Sequence, residues 1–367
     1  ASMGMSVMYA PFFFIAHSFS SSDGSHGFSE PYHFAILFSG LFYLVIGMIY
    51  LRKTLLLFYS EKITAITLLA TYFGTNLLCY STLHAPMSHE YNFFLFSVFI
   101  YFSIQWTKTQ KLKHLLIIGF VMGMIILVRP LNILLFLFLV LYKVNSLATL
   151  KERILLLLKN YLQMFLFGLI CFLVFLPQLL YWKHVTGTYW FNSYVGEWFF
   201  FTKPHLIECL VGFRKGWLIY TPMMIFALIG IWYLKKIKSP FFTTSIILIP
   251  VYFYILSSWW CWWYGGSFGL RPMIDIYPLL AIALAAFLEG VLFKQKLSSK
   301  VVGTCIGLFI ALNLFQTIQY HYNIIHFDGM NGKAYFNSFG KTSKADCDRS
   351  LIKSPDYAKA MKGEEWE

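Results

Sequence analysis

The chain has 367 residues, of which 58% are hydrophobic, 20% aromatic and only 12% charged. This composition lies well outside the norms of soluble domains, so it excludes an ordinary soluble enzyme and indicates a polytopic membrane protein. The net charge of +13 does not indicate nucleic-acid binding, because the basic residues are concentrated in alternate loops between apolar runs.

The apolar runs, taken in chain order, predict an all-α transmembrane bundle of about ten spans. The predicted spans are residues 33–51, 63–80, 91–106, 115–128, 131–143, 160–177, 216–234, 241–257, 274–292 and 301–318. Between the fourth and fifth spans, the Arg129-Pro130 pair is expected to end or kink a helix, because proline cannot continue the helical hydrogen bonding.

Five of the loops between these runs are basic, and one orientation places all five in the cytoplasm. Glu61 and Glu152 are the acidic residues that accompany them. The basic residues are Arg52, Lys53, Lys62, Lys108, Lys111, Lys113, Lys143, Lys151, Arg153, Lys159, Lys235, Lys236, Lys238, Lys294, Lys296 and Lys300. The predicted outer segments are 18–32, 81–90, 178–215, 258–273 and the tail from 319.

Two further segments are predicted to lie along the membrane surface. Residues 1–17 contain Pro11 and are short for a span, so they fit an outer interfacial helix. Residues 146–159 fit either an amphipathic helix on the inner surface or a cytoplasmic extension of the next span. Residues 1–318 are expected to form one transmembrane domain, with the long outer loop 178–215, and residues 319–367 a short outer tail.

Polar groups at the ends of spans are the candidates for function, because charges in hydrocarbon are costly. The most informative stretch is 259–275, where a tryptophan-rich segment and glycines lead to Arg271 and Asp275. Such aromatic side chains suit a membrane–water interface or the face of a sugar ring. The candidates for stacking on a sugar or an acceptor are Trp262, Trp263, Tyr264 and Tyr194.

Cations at the outer ends of the spans are candidates for binding a phosphate. Arg271 is favoured, because Asp275 lies four residues later and a pair across one helical turn is allowed there. For Arg214 and Lys215, snorkelling to lipid headgroups explains the positions as well as phosphate binding does. Arg129 and Lys183 complete the set of phosphate-binding candidates.

His89 and Glu90 offer an imidazole and a carboxylate for an acceptor hydroxyl or a divalent metal ion. Adjacent residues on a helix diverge by about 100°, which weakens joint ligation of a metal. A solvated helix N-terminus, with Glu90 complementing the helix dipole, explains the pair equally well. Asp275 is a third candidate on the acceptor or metal side. Among the six cysteines, Cys209 and Cys347 both fall in outer segments and are the pair considered for a disulfide.

Seven segments in a fixed order carry a family resemblance. They are PFFFIAH at 11–17, MSHEYNFFLF at 87–96, LVRPLN at 127–132, PQLLYWKHVTG at 177–187, RKGWLIYTP at 214–222, WWYGGSFGLRPMIDIYP at 262–278 and SPDY at 354–357. Together they resemble the bacterial branch of the GT-C integral-membrane glycosyltransferases, which includes protein O-mannosyltransferase and aminoarabinose-transferase relatives.

The resemblance implies a GT-C-like fold in the bacterial cytoplasmic membrane, with its active site on the outer face. It implies transfer of a sugar from a polyprenyl-phosphate carrier to a lipid, glycan or protein acceptor. It also implies an N-terminal helix and a loop with a catalytic acid ahead of residues 11–17. Either the chain is truncated and that acid lies before Ala1, which we favour, or the catalytic acid comes from elsewhere. The alternative function is a transporter or flippase of a lipid-linked or small polar substrate, although such proteins place ionisable groups near the bilayer midplane.

Overall fold

The computed structural model describes residues 2–19, 27–192, 194–292 and 296–364. In these ranges the regular structure is helical, as the sequence predicts, apart from an isolated β-bridge between Phe199 and Trp259. Lys294, one of the basic loop residues, lies outside the described residues, as does part of the predicted outer loop 18–32.

The α-helices are numbered here in chain order. They are α1 (Gly4–Phe19), α2 (Glu30–Leu55), α3 (Glu61–Phe73), α4 (Leu77–Thr82), α5 (Ser88–Thr109), α6 (Leu112–Val128), α7 (Phe136–Leu141), α8 (Leu147–Lys159), α9 (Tyr161–Thr186), α10 (Leu206–Val211), α11 (Trp217–Tyr220), α12 (Met224–Lys236), α13 (Phe242–Ser257), α14 (Tyr277–Leu292), α15 (Lys296–His321), α16 (Gly332–Ser338) and α17 (Tyr357–Met361). Short 3-10 helices occupy Pro130–Leu135, Arg271–Ile276, Lys344–Asp346 and Arg349–Leu351.

Four helical segments of the described chain are long and apolar enough to cross a membrane. They are Glu30–Leu55, Tyr161–Thr186, Arg271–Leu292 and Leu297–His321. Shorter apolar helices are Gly4–Phe19, Leu112–Val128, Pro130–Leu141 and Phe242–Ser257. The chain is therefore an all-helical protein with the helices of a membrane protein, and the count of about ten spans stays a prediction.

The predicted break at Arg129-Pro130 is present. Helix α6 ends at Val128, Arg129 has an extended backbone (φ −147°, ψ 107°), and a 3-10 helix begins at Pro130. Proline lacks the N–H that the helix would need, and it keeps the preceding residue out of the helical region.

Two other spans were predicted as continuous helices, and each is interrupted in the structure. The span 63–80 is divided between α3 and α4, where the Thr75 hydroxyl donates to the Thr71 carbonyl and accepts from the Leu77 N–H. These local hydrogen bonds compete with the backbone hydrogen bonds of a continuous α-helix. The span 216–234 is divided between α11 and α12, because Pro222 follows Thr221 and excludes it from the helix.

The long outer loop begins later than predicted. Helix α9 contains Pro177 and continues to Thr186, well past residue 178. Gly187 then ends the helix with φ +78°, a left-handed conformation that glycine adopts without a steric penalty. The aromatic-rich segment is therefore residues 187–205, ahead of α10.

The chain folds as two compact units. The first comprises Ala1–Phe58, Tyr80–Ser193 and Lys238–Thr244, and the second comprises Tyr59–Cys79, Tyr194–Ile237 and Ser245–Glu367.

In the first unit, α2 packs on α1 and α5, and α6 packs on α5 and α9. Gly123 permits the close approach of α6 to α9, since a Cβ there would stand 2.7 Å from the Cβ of Val174.

The basic loops of the first unit lie together at one end, which we call the basic end. The Nζ of Lys108 lies 5.9 Å from the ring centre of Phe58. The N–H of Lys143 donates to the carbonyl of Pro240 at 2.9 Å. At the other end, Gln178 accepts a hydrogen bond from the Met3 N–H at 2.6 Å. Within this unit the loops predicted to share a side of the membrane therefore do lie together.

In the second unit, α14 is buried along most of its length and packs against α12, α3 and α15. The approach of α12 is close, because a Cβ on Gly230 would stand 1.9 Å from the carbonyl oxygen of Ala283. The predicted tail folds back onto this unit, since the Gln319 side chain donates to the Ser338 carbonyl and Tyr335 packs on Phe213. The tail is therefore part of the folded unit.

Candidate functional site

Residues 264–271 form a tight double turn that presents Arg271 at the start of an apolar segment. Tyr264, Gly265 and Gly269 all have left-handed backbones, with φ of 57°, 61° and 60°. Gly269 also approaches Tyr220 closely, because a Cβ there would stand 3.0 Å from the Tyr220 Cβ. The turn is fixed to the tail by a hydrogen bond from the Ser267 N–H to the Phe327 carbonyl at 3.0 Å.

Lys215 is buried beneath this turn, with 1% of its surface exposed. Its Nζ donates to the carbonyl oxygens of Ser267 and Phe327. The pKa of Lys215 is lowered to about 7, chiefly by burial and to a smaller extent by the charges of Arg271 and Arg214, whereas the carboxylate of Asp328 opposes this shift. Arg214, Lys215, Arg271 and Asp328 thus form what we call the cationic cluster, which holds three basic groups and one acidic group.

Arg214 is also buried, at 4% exposure. Its Nη1 donates to the carbonyl oxygens of Asp328 at 2.8 Å and Lys353 at 3.2 Å. Headgroup snorkelling is therefore the wrong interpretation of Arg214 and Lys215, because both point inward to backbone carbonyls. Arg271 is only half-buried, which makes it the member of the cluster with more accessible surface.

Asp275 is fully buried, and it accepts a hydrogen bond from the Tyr252 hydroxyl at 3.3 Å. The segment Arg271–Ile276 that carries it is a 3-10 helix rather than the α-helical turn expected from the sequence. Burial in the protein interior favours a structural role for this carboxylate over direct contact with an acceptor.

The aromatic residues divide into a buried framework and an exposed group. Trp263 is fully buried and packs edge-to-face on Trp262 at 5.7 Å and on Tyr357 at 5.3 Å. Trp262 stacks on His205 with a ring separation of 5.3 Å. The prediction that Trp262 and Trp263 offer open stacking faces is therefore wrong, since protein covers both rings. Tyr194 remains exposed on Trp259, and the Tyr264 hydroxyl donates to the Leu256 carbonyl.

Two tail residues that the sequence did not single out complete the cluster. The Tyr357 hydroxyl donates to Asp328 Oδ2 at 3.0 Å. The negative charge of Asp328 favours the protonated forms of Lys215 and of the neighbouring Cys261 thiol. The SPDY segment at 354–357, part of the family resemblance, is the one signal in the sequence that pointed towards this region.

A cavity of about 370 Å³ opens beside Arg214 in the second unit. The polar and charged residues of its lining include Glu208, Asn331, Lys353 and Ser354. Glu208 also faces His205, with 4.0 Å between the carboxylate and Nδ1. Acidic and basic residues therefore line the same cavity, beside the cationic cluster.

The other candidates lie in the first unit. Arg129 Nη1 is 3.1 Å from His89 Nδ1, and since arginine can only donate, that nitrogen is an acceptor. His89 and Glu90 are both buried, so a solvated helix N-terminus is the wrong interpretation of this pair. Glu90 lies against α2, because a Cβ on Gly40 would stand 3.0 Å from its Oε1.

Lys183 closes the end of α9 by donating to the Gly187 carbonyl at 2.7 Å. It also lies 5.3 Å from the ring centre of Tyr189. These contacts account for Lys183 without a phosphate, so it is not part of the cationic cluster as described.

In the ranges that the structure describes, no group of three or more His, Cys, Asp or Glu side chains is arranged to hold a metal ion. All six cysteines are free thiols, so the considered Cys209–Cys347 disulfide is wrong; Cys209 is buried and donates to the Trp262 carbonyl.

Comparisons with protein-family models, curated proteins and solved structures gave no match to this chain. Roles for these residues therefore rest on their geometry and chemistry.

Proposed function

We propose that this chain is a membrane glycosyltransferase that moves a sugar from a polyprenyl-phosphate carrier to a lipid, glycan or protein acceptor. The reaction would take place at the outer face of the bacterial cytoplasmic membrane. The observation that carries the proposal is the cationic cluster, in which Arg214, Lys215 and Arg271 meet one carboxylate, Asp328. It lies at the start of Arg271–Leu292, a segment apolar enough to span a membrane, which is where the phosphate of a lipid carrier would be.

Within the cluster, Arg271 is the residue that we assign to the phosphate. Arg214 and Lys215 already donate to backbone carbonyls, so their main contribution is positive charge at a fixed position. Arg271 is half-buried, and a guanidinium can bind two phosphate oxygens at once.

The chemistry follows from the charge distribution. The bond between the anomeric carbon and the carrier phosphate oxygen breaks, and the bonding electrons leave with the polyprenyl phosphate. Arg271 stabilises the negative charge that grows on this leaving group. The acceptor hydroxyl forms the new bond to the anomeric carbon and gives its proton to a base.

The size and lining of the cavity beside Arg214 are consistent with a polyhydroxylated ligand such as a sugar. Its volume of about 370 Å³ is within the range of small-molecule sites, about 300–1,000 Å³. Sugar hydroxyls both donate and accept hydrogen bonds, so charged and polar residues in the lining, such as Glu208 and Ser354, are suitable partners.

The experiment is native mass spectrometry of the purified chain with a polyprenyl-phosphate sugar and with the matching polyprenol. We expect the wild type to retain the phosphate carrier and not the alcohol. Arg271→Gln should lower retention by roughly tenfold to a hundredfold, because it removes charge-assisted hydrogen bonds of about 1.5–3 kcal/mol.

Lys203→Gln is the matched control, since it removes an exposed cation of the same unit. Equal retention of carrier and polyprenol by the wild type, or unchanged retention in Arg271→Gln, would overturn the assignment of Arg271.

A further inference from the structure

Helix α8 of the first unit is held to the protein along one face only. Its start is fixed by a capping box, in which the Ser146 hydroxyl accepts from the Thr149 N–H and the Thr149 hydroxyl accepts from the Ser146 N–H. On its inner face, buried Arg153 donates from Nε to the Leu139 carbonyl at 2.8 Å and from Nη1 to the Thr107 hydroxyl at 3.1 Å. Detaching the helix would leave a guanidinium without these acceptors, so α8 is a fixed part of the unit.

The outer face of α8 is apolar and exposed. Leu147 is 86% exposed and Leu158 is 62% exposed, and Ile154 and Leu155 are exposed as well. At 100° per residue, Leu147, Ile154 and Leu158 fall within about 40° of one another around the helix, with Leu155 beside them. Such a stripe of large apolar side chains marks a surface that binds something apolar.

The position of α8 in the chain points to a lipid surface. Only Asn160 separates the helix from Tyr161–Thr186, a segment long and apolar enough to cross a membrane. Asn160 donates to the Gln110 side chain at 3.3 Å, and Gln163 donates to the Gln110 carbonyl at 3.2 Å. The loop 108–113 is therefore held beside the junction of α8 and α9.

The charge around this junction is strongly positive. Residues 108–113 and 143–159 together contain seven Lys or Arg and a single carboxylate, Glu152. Lys151 lies within the leucine stripe and Lys159 at its end, and both are exposed. Lysines beside an apolar stripe are the pattern of a helix that lies in the headgroup region of an anionic leaflet.

We propose that α8 is an anionic-lipid-binding surface helix. Leu147, Ile154, Leu155 and Leu158 enter the acyl boundary, and Lys151 and Lys159 bind the phosphates of acidic phospholipids. Arg153, on the opposite face, fixes the orientation of the helix by its hydrogen bond to the Leu139 carbonyl. This role is separate from sugar transfer, and its test does not depend on the proposed function.

The first test measures depth by spin-label accessibility in nanodiscs. Labels are placed on Leu155→Cys and Leu158→Cys, with Glu152→Cys as the exposed control on the same helix, after Cys171, Cys305 and Cys347 are changed to serine. The labels at 155 and 158 should be relaxed more by oxygen than by a water-soluble nickel chelate, and the label at 152 should show the reverse. Greater relaxation by nickel at 155 and 158, or protection from both reagents as expected for a protein partner or a second copy, would overturn the proposal.

The second test measures the headgroup preference. Native mass spectrometry compares retention of phosphatidylglycerol and phosphatidylcholine by the wild type, by the Lys151→Gln/Lys159→Gln variant and by Lys203→Gln. A cation near an anionic surface contributes about 1 kcal/mol, which corresponds to roughly a fivefold loss of phosphatidylglycerol for each lysine removed. Equal retention of the two lipids by the wild type, or equal losses in the two variants, would overturn the headgroup assignment.

Discussion

The hydroxyl of Tyr357 donates to the carboxylate of Asp328 over 3.0 Å, and this bond connects the C-terminal segment to the cationic cluster. The same aspartate is held through its carbonyl by Arg214. The Tyr357 ring packs on Trp263 and Trp260, so the contact combines a hydrogen bond with aromatic packing. The tail is thus part of the framework that positions the one carboxylate of the cluster.

Tyr357→Phe should weaken this framework slightly. The variant keeps the ring on Trp263 and removes the hydrogen bond to Asp328, a loss of about 1 kcal/mol. We expect a small decrease in the melting temperature, measured by differential scanning fluorimetry in detergent. Tyr322→Phe, at an exposed tyrosine, is the control; equal decreases in the two variants would show that the bond contributes nothing specific.

Lys215 should make stability depend on pH in a defined direction. Its folded pKa of about 7 lies below the ordinary 10.5, so above pH 7 the folded chain releases a proton that the unfolded chain retains. The free energy of unfolding therefore rises with pH from about 7 towards 10.5, and the penalty for a buried charge is fully present below 7.

Melting temperatures at pH 7, 8 and 9 check this prediction. Lys215→Met should flatten the rise, whereas Lys203→Met, at an exposed lysine, should leave it unchanged. Parallel pH profiles for wild type and Lys215→Met would contradict the prediction.

Arg214→Met should loosen the tail. The variant removes the donor to the carbonyls of Asp328 and Lys353, and for the buried Asp328 carbonyl this loss costs about 1–3 kcal/mol. Hydrogen exchange of the peptides that contain residues 327–330 and 351–355 should become faster. Lys359→Met removes an exposed cation from the same tail, and matching exchange rates in the two variants would argue against a tethering role for Arg214.

Gly230→Ala tests the packing of α12 on α14. The new methyl group would stand 1.9 Å from the Ala283 carbonyl oxygen, so the helices must separate, and we expect a destabilisation of about 1–3 kcal/mol or more. Gly307→Ala in α15 is the matched control, because nothing lies within 4 Å of a Cβ there. A lower melting temperature for the first variant alone is the expected result; similar values for both would contradict the close approach.

Local chemistry accounts for what the sequence predicted correctly. The helix break at Arg129 follows from the proline that comes next, and it needs no knowledge of the rest of the fold. The basic loops of the first unit likewise lie together, with Lys108 near Phe58 and Lys143 bonded to Pro240, whereas the alternation along the whole chain stays a prediction.

Long-range contacts account for what the sequence missed. Asp328 lies more than a hundred residues from Lys215, so no local pattern could pair them. The burial of Arg214 and Trp263 depends on the tail that folds over them, whereas the sequence alone assigned both to an open surface. The separation of α11 from α12 was missed because hydropathy outweighed the signal of Pro222.

The most direct measurement of the central claim is turnover in proteoliposomes that contain a polyprenyl-phosphate carrier with a radiolabelled sugar and a bacterial membrane extract as the source of acceptor. We expect the wild type to release polyprenyl phosphate and to move the label into an acceptor fraction, and Arg271→Gln to reduce that rate at least tenfold. Movement of the intact carrier between leaflets without release of the sugar, or an equal rate in Arg271→Gln, would contradict the account.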